Sequence, residues 1–468
     1  MSSSNRGSSW ISSSFRDPSG FVFVREGVIY RQVNKIYAED FNFLISSGLY
    51  DKLSSAGMLV RHIDTDAEPY EVKNAYKIIK PDKIPFISYP YEWCFSQLKN
   101  AALLTLEIQK IALDYGMSLK DASSYNVQFL GFRPVFIDTL SFEKYREGKP
   151  WAAYRQFCCH FLAPLAVMSY CHVGLSGLLR AYIDGMPLDV ASSILPFRSR
   201  LNLPLYSHVH LHAKAEKFYS GKVDKSRGKS VAGKKVNKNL VYALIDSLKS
   251  CIQSLKWKPS GTVWVDYYNN TNYSNRAMSS KTEIVKYFLG KIKISLLWDL
   301  GANTGYFSRI ATEMGIFTVS FDIDPAAVEL NYLESVKKRE KNILPLVMDL
   351  TNPSPALGWD NQERDVLTSR GTADAVLALA LIHHLAIGNN LPFIKIAKFF
   401  SKICRHLIIE FVPKEDSQIQ RMLAVREDIF ASYDRENFED AFGIYFNFEE
   451  AKAIEGSGRV IYLMDRKV

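Results

Sequence analysis

Leu297-Trp298-Asp299-Leu300-Gly301-Ala302-Asn303-Thr304-Gly305 is the stretch that decides the fold of the second half of this chain. Apolar residues (Ile294, Leu296, Leu297, Trp298) lead into it as a buried strand would, and an amphipathic run from Tyr306 to Met314 follows it as a helix would. A glycine-rich turn between strand and helix lets a ligand approach the backbone, because glycine has no side chain and accepts positive φ. Asp299, an acid at the strand end, disfavours a phosphate and favours a ligand bearing hydroxyls or a positive charge.

The residues downstream keep the same rhythm. Thr318 to Phe321 reads as a second strand with Asp322 at its end, placed to accept two hydrogen bonds from ribose hydroxyls. Pro325 opens the next helix, where its missing N–H costs nothing. Asn342 to Met348 reads as a third strand ending in Asp349, placed to accept from an adenine amino group. Ala373 to Leu379 is a fourth, with Asp374 near its start and His383-His384 at its exit; His406 to Phe411, ending in Glu410, is a fifth. Strands alternating with helical stretches predict a doubly wound parallel α/β sheet with helices on both faces and ligands beyond the strands' carboxyl ends. The three acids point to S-adenosylmethionine (SAM), a sulfonium carrying an amino acid and a ribose.

On these residues the chain from about 262 onward resembles a class I SAM-dependent methyltransferase, with Asn303 where a middle glycine often stands. The resemblance implies cofactor contacts from Asp299, Gly301, Asn303, Gly305, Asp322 and Asp349. His383 and His384 are candidate catalytic bases, set against one capping the following helix and the other packing. Glu410 is read as binding a cationic acceptor or pairing with Lys414, and Lys281 as part of a lid with Tyr273 and Ser274. No Asn-Pro-Pro-Tyr tetrapeptide follows the fourth strand, which argues against the methyltransferases of exocyclic amines. The whole-chain pattern also resembles a poorly characterised bacterial two-domain group related to nodulation-type methyltransferases.

The first half carries another constellation. Asp121 and Asn126 are five residues apart, and Asp138 follows after a short hairpin through Gly131 to Pro134. That spacing resembles the catalytic loop and metal-binding acid of protein kinases. The resemblance implies an α+β, kinase-like domain, and ATP and magnesium as its cofactors. A strand is read at 87–93 and a long helix at 98–115. The departures are large: no glycine-rich phosphate loop near 22–33, and Arg31 or Lys35 in place of an assignable strand lysine. Turn-capping polar residues are the alternative reading.

The 468 residues accommodate several domains. The sequence divides into a serine-rich disordered tail (1–20), an N-terminal α+β domain (21–213), a basic linker (214–240) and a methyltransferase domain (241–468). Of the net charge of +9, most lies between Lys214 and Lys238, where nine basic residues face two acidic ones. A solvated tether is the plain reading, and an RNA-contacting strip the sharper one. Six scattered cysteines without a Cys-x-x-Cys pair suit a reducing, cytoplasmic compartment, and the alternating His208, His210 and His212 lack partners at ligand spacing, so no metal is expected. Residues 156–179 hold no Lys, Arg, Asp or Glu, but Pro164 and two glycines argue for buried helices rather than a membrane span. The expected activity is methyl transfer from SAM to a small molecule or saccharide. Beside it stand an RNA- or ribosome-directed methyltransferase, a bifunctional protein with a phosphotransferase or scaffold N-terminal domain, and a scaffold with a vestigial cofactor site. Acceptor and oligomeric state are not legible in the sequence.

Overall fold

The computed structural model describes residues 8–220, 236–259 and 274–467. The C-terminal sheet has seven strands: Leu296–Leu300, Phe317–Asp322, Ile343–Val347, Ala373–Ala378, Cys404–Phe411, Phe446–Ala453 and Val460–Arg466. Counted along the chain, their order is third, second, first, fourth, fifth, seventh, sixth. The first five pair in parallel. The last two, not foreseen in the sequence, add an antiparallel hairpin to the fifth strand, so the sheet is mixed rather than wholly parallel. The six residues between them are too few for the crossover a parallel neighbour requires.

Alternation of side chains splits the strands between two faces. Leu297, Ala375, Leu377, Ile408 and Leu463 join Val285, Phe288 and Phe307 on one face. Trp298, Leu300, Phe321, Leu344, Val376 and Leu407 join a larger cluster that runs into the N-terminal half. There Phe86 meets Trp298 and Phe321 edge-on, with ring centroids 5.5 and 5.8 Å away. The helix Phe95–Asp114 lies against Pro325–Lys338: Ser96 donates its N–H to Glu329 at 3.0 Å, and Asn100 bonds the Tyr332 hydroxyl at 2.9 Å.

The N-terminal half is α+β. A five-stranded antiparallel sheet (Ser8–Trp10, Gly20–Arg25, Val28–Asn34, Ala75–Pro81, His62–Thr65, in spatial order) precedes the long helix. The hairpin Val127–Leu130/Arg133–Phe136 and a series of short helices follow it. Residues 154–170 run as one helix with a π turn at Cys158–Leu162, buried from 157 to 168, whereas the 3-10 helix Val173–Gly177 buries no residue; no helix among the described residues is long and apolar enough to cross a membrane.

Four expectations need correction. The serine-rich segment is ordered from Ser8: it forms the edge strand, Trp10 packs on Phe21 at 4.8 Å, and Arg16 pairs with Glu363 at 2.6 Å. Residues 87–93 are not a strand; Pro85 and Pro90 remove ladder donors, and Pro90–Glu92 is a 3-10 turn. The basic stretch is not all linker, since Lys214 and Lys217 lie on the helix His212–Ser220 and Lys238 begins another, Lys238–Ser254; residues 221–235 lie outside the described residues. Finally, the boundary at 241 cuts a helix that packs on Phe95–Asp114, tied by Lys249–Glu107 and Lys110–Asp246, both at 2.9 Å. An amphipathic helix goes where its apolar face is covered, and for Val241, Ile245, Leu248 and Ile252 that is the N-terminal half.

Candidate functional site

The first strand is flanked by the second on one side and the fourth on the other. A crevice opens where the chain direction of the connections reverses. A cavity of about 370 Å³ lies there, and its wall includes Asp299, Gly301, Asn303, Asp322 and Asp349. The carboxylates expected at three strand ends therefore converge on one space, together with Lys281, Met348, Leu381 and His384.

The turn's backbone explains its composition. Gly301, Asn303 and Gly305 have φ of +78°, +52° and +82°. Asparagine tolerates the left-handed region better than most side chains, so Asn303 substitutes for glycine at little cost. Gly305 is also sterically fixed, because a Cβ there would come within 2.5 Å of the Asn331 side chain. Gly305 opens the helix Tyr306–Glu313 and is not part of the cavity wall.

Asp322 holds the turn. Its Oδ2 accepts the N–H of Asn303 at 2.7 Å and its Oδ1 that of Asp324 at 2.9 Å. Burial raises its pKa to about 6 against those bonds. Asp299, 2% exposed, is likewise raised to about 6 by burial, although Ser308 donates to its Oδ2 at 2.6 Å. Ser320 donates to Ser308 in turn at 2.7 Å, a relay across two strands and a helix that nothing in the sequence marked. Asp349 is partly exposed; its Oδ1 accepts the N–H of Thr351 at 2.8 Å.

Lys281 lies on the helix Asn275–Lys291, which Ser274 caps; Tyr273, its expected companion, lies outside the described residues. The Lys281 ammonium is buried and bonds Glu410 Oε2 at 2.7 Å. Glu410 is therefore not an open acceptor site and does not pair with Lys414. It binds Lys281, Arg459 (3.2 Å) and the N–H of Ala380 (2.8 Å), while Lys414 pairs with Asp428. A carboxylate with no exposed surface inside a sheet draws on cations from elements distant in sequence.

The two histidines separate. His384 is in the cavity wall, and burial lowers its pKa to about 4. His383 is 2% exposed, absent from that wall, and has no partner for Nδ1. Consecutive residues at a helix start face different ways, and here only one faces the cavity.

In the N-terminal half, Asp121, Asn126 and Asp138 do come together. Asn126 Nδ2 donates to Ser141 Oγ at 3.2 Å, and Ser141 donates to Asp138 at 2.5 Å. Burial and the nearby Asp138 raise the Asp121 pKa. Asp138 ends below the carboxylate range: burial pushes it up, but Arg31 at 2.5 Å and the hydrogen bonds outweigh it. Arg31, rather than Lys35, is the strand cation that reaches the acid; Lys35 bonds the Lys73 carbonyl. Asp138 is thus engaged by Arg31, Ser141 and the Leu140 N–H, and nothing in this geometry supports magnesium or ATP. His208 bonds Tyr154 and Ser247, and His210 bonds Ser192 and Ser199, so these rings serve hydroxyls. No group of three or more His, Cys, Asp or Glu among the described residues is arranged to hold a metal ion.

Over 460 residues, 97% of this chain and 96% of its relative, the sequence is 37% identical to nodulation protein NoeA of Rhizobium meliloti (strain 1021). The chain belongs to the NoeA family. No family model matches it. Among solved structures, the PH0226 protein of Pyrococcus horikoshii OT3 is 17% identical, covering 43% of this chain and 96% of its own, with a TM-score of 0.31. The N-methyltransferase NodS of Bradyrhizobium japonicum WM9, solved with S-adenosyl-L-homocysteine, is 12% identical over 44% of this chain and 97% of its own, with a TM-score of 0.32. Likenesses of that size leave the fold to be read from the strands themselves. In this NoeA-family chain the strand order and the glycine turn give the C-terminal half the fold of a class I methyltransferase, with three acids converging on the cavity at its switch point.

Proposed function

We propose that this NoeA-family chain transfers a methyl group from SAM to a small-molecule or saccharide acceptor. The observation that carries the reading is the convergence of Asp299, Asp322 and Asp349 on one cavity. Bound there, SAM supplies an electrophilic methyl on a sulfonium. Asp322, each of whose oxygens already accepts one backbone N–H, would accept the ribose hydroxyls with its remaining lone pairs. Asp349 accepts from the adenine amino group. Asp299 would hold the ammonium of the amino-acid end, and Lys281, bonded to Glu410 and the single Lys or Arg among the described residues of the cavity wall, would attract its carboxylate. Met348, Leu350, Leu381 and Leu385 exclude water, which favours a step that disperses charge.

His384, in the cavity wall and neutral at pH 7 because burial lowers its pKa, would accept the proton of an oxygen or nitrogen nucleophile. A concave wall that mixes apolar side chains with a few polar groups favours a small acceptor. The relative's name ties that protein to nodulation and leaves the acceptor open. Calorimetry with SAM, followed by a screen of saccharides and small molecules with labelled methyl donor, tests the reading. Wild type transfers label and Gly301→Arg does not; absence of SAM binding to wild type at saturating concentration overturns it.

A further inference from the structure

The adenine-side loop leaves the methyltransferase sheet after Ile343–Val347 and returns at Ala373–Ala378. Its first residues, Met348 to Thr351, line the cofactor cavity. Its remainder is held by the other half of the protein. Arg180 donates to the carbonyls of Asn352 and Pro353 at 3.5 and 3.3 Å. Ser354 donates to Glu92. The Arg364 guanidinium lies 3.8 Å over the Tyr125 ring, and Asp365 donates its N–H to the Tyr89 hydroxyl at 2.7 Å. Arg370 grips Glu92 with two bonds, 2.8 and 2.5 Å, and adds a third to the Ile87 carbonyl at 3.0 Å. The Glu92 and Arg370 side chains are each 1% exposed. Glu92 also accepts the N–H of Tyr89 at 2.9 Å, so one carboxylate joins the 3-10 turn Pro90–Glu92 to both ends of the loop.

We propose that Glu92 and Arg370 are positioning residues for the adenine side of the SAM pocket, which makes the N-terminal half a working part of the cofactor site. A buried bidentate carboxylate–guanidinium pair fixes direction as well as distance. The loop it fixes has no strand of its own between Val347 and Ala373 to do so. Without the pair, Asp349 and Thr351 lose their support from behind, and SAM must order the loop when it binds. The coupling is reciprocal: a ligand that orders the loop also steadies the turn that grips it.

This inference rests on the methyltransferase reading, and the test separates the two. SAM affinity is measured by calorimetry on the full chain for wild type, Glu92→Gln and Tyr89→Phe, and amide hydrogen exchange is followed with and without SAM. Weaker SAM binding is expected in Glu92→Gln, by roughly 5- to 150-fold, with a smaller loss in Tyr89→Phe, which keeps the buried ion pair and serves if Glu92→Gln fails to fold. SAM is expected to slow exchange across 86–93 in wild type, which a purely structural contact would not do. Unchanged affinity in the folded variants, or no SAM effect on 86–93, overturns the proposal. No SAM binding by wild type overturns the methyltransferase reading instead.

Discussion

Asp322 Oδ2 accepts the backbone N–H of Asn303 at 2.7 Å, so the acid ending the second strand braces the glycine turn that follows the first. The same carboxylate shapes the turn and faces the cavity. Asp322→Asn keeps an acceptor for one N–H and loses the charge for the ribose. We expect SAM binding to weaken by about 1–3 kcal/mol, measured by calorimetry, and the melting temperature to fall as well, because one of the two N–H bonds to the carboxylate is lost.

The two glycines of the turn separate strain from ligand exclusion. Gly305→Ala meets both a φ of +82° and the Asn331 side chain at 2.5 Å. It should lower stability by about 1–3 kcal/mol, visible as an earlier thermal transition. At Gly301 a Cβ has ordinary clearance, 3.5 Å from Leu381. Gly301→Arg carries the backbone strain of φ +78° without a clash, so it should lose less stability than Gly305→Ala while its side chain fills the cavity and abolishes SAM binding.

Asp299 and Asp322 give SAM binding a pH dependence of definite sign. Both are raised from 3.8 to about 6 by burial. Near pH 5 the folded protein holds protons that the unfolded chain has released, so these groups stabilise the ligand-free fold at low pH. That contribution falls away as pH rises through about 6. SAM needs the ionised carboxylates. Its affinity should rise from pH 5 to 7 and level off above, with proton release on binding near pH 6 in buffers of different ionisation enthalpy. A flat affinity profile would refute this.

His384→Ala should lower the turnover rate by roughly 10²- to 10⁴-fold while leaving SAM affinity unchanged. An unaltered rate would show that alignment of acceptor and methyl is enough. His383→Ala removes a packed ring outside the cavity wall and should act on stability first.

Lys281→Met leaves Glu410 buried with one cation fewer. Breaking a buried pair in this way costs about 3–5 kcal/mol. Chemical denaturation should detect a loss of that order, with weaker SAM binding added to it.

Residues 297–305, Asp322 and Asp349 were legible as neighbours of one crevice because that crevice is written locally: each carboxylate follows its own strand, and strand ends in a doubly wound sheet meet by construction. The sequence by itself determined the five parallel strands, the glycine turn, the convergence of three acids and a long helix read at 98–115, which begins three residues earlier, at Phe95. What joins distant segments had no such signature. Glu410 with Lys281 and Arg459, Glu92 with Arg370, and Ser308 between Asp299 and Ser320 are hydrogen-bonded pairs 9 to 278 residues apart. Local periodicity carries no information about which buried charge meets which. His383 and His384 were equivalent in the sequence, and only their packing placed one in the cavity wall. The tertiary structure also decided that Lys238–Ser254 belongs with the N-terminal half and that this half grips the adenine-side loop. Burial forces polar groups to find partners wherever the folded chain brings them.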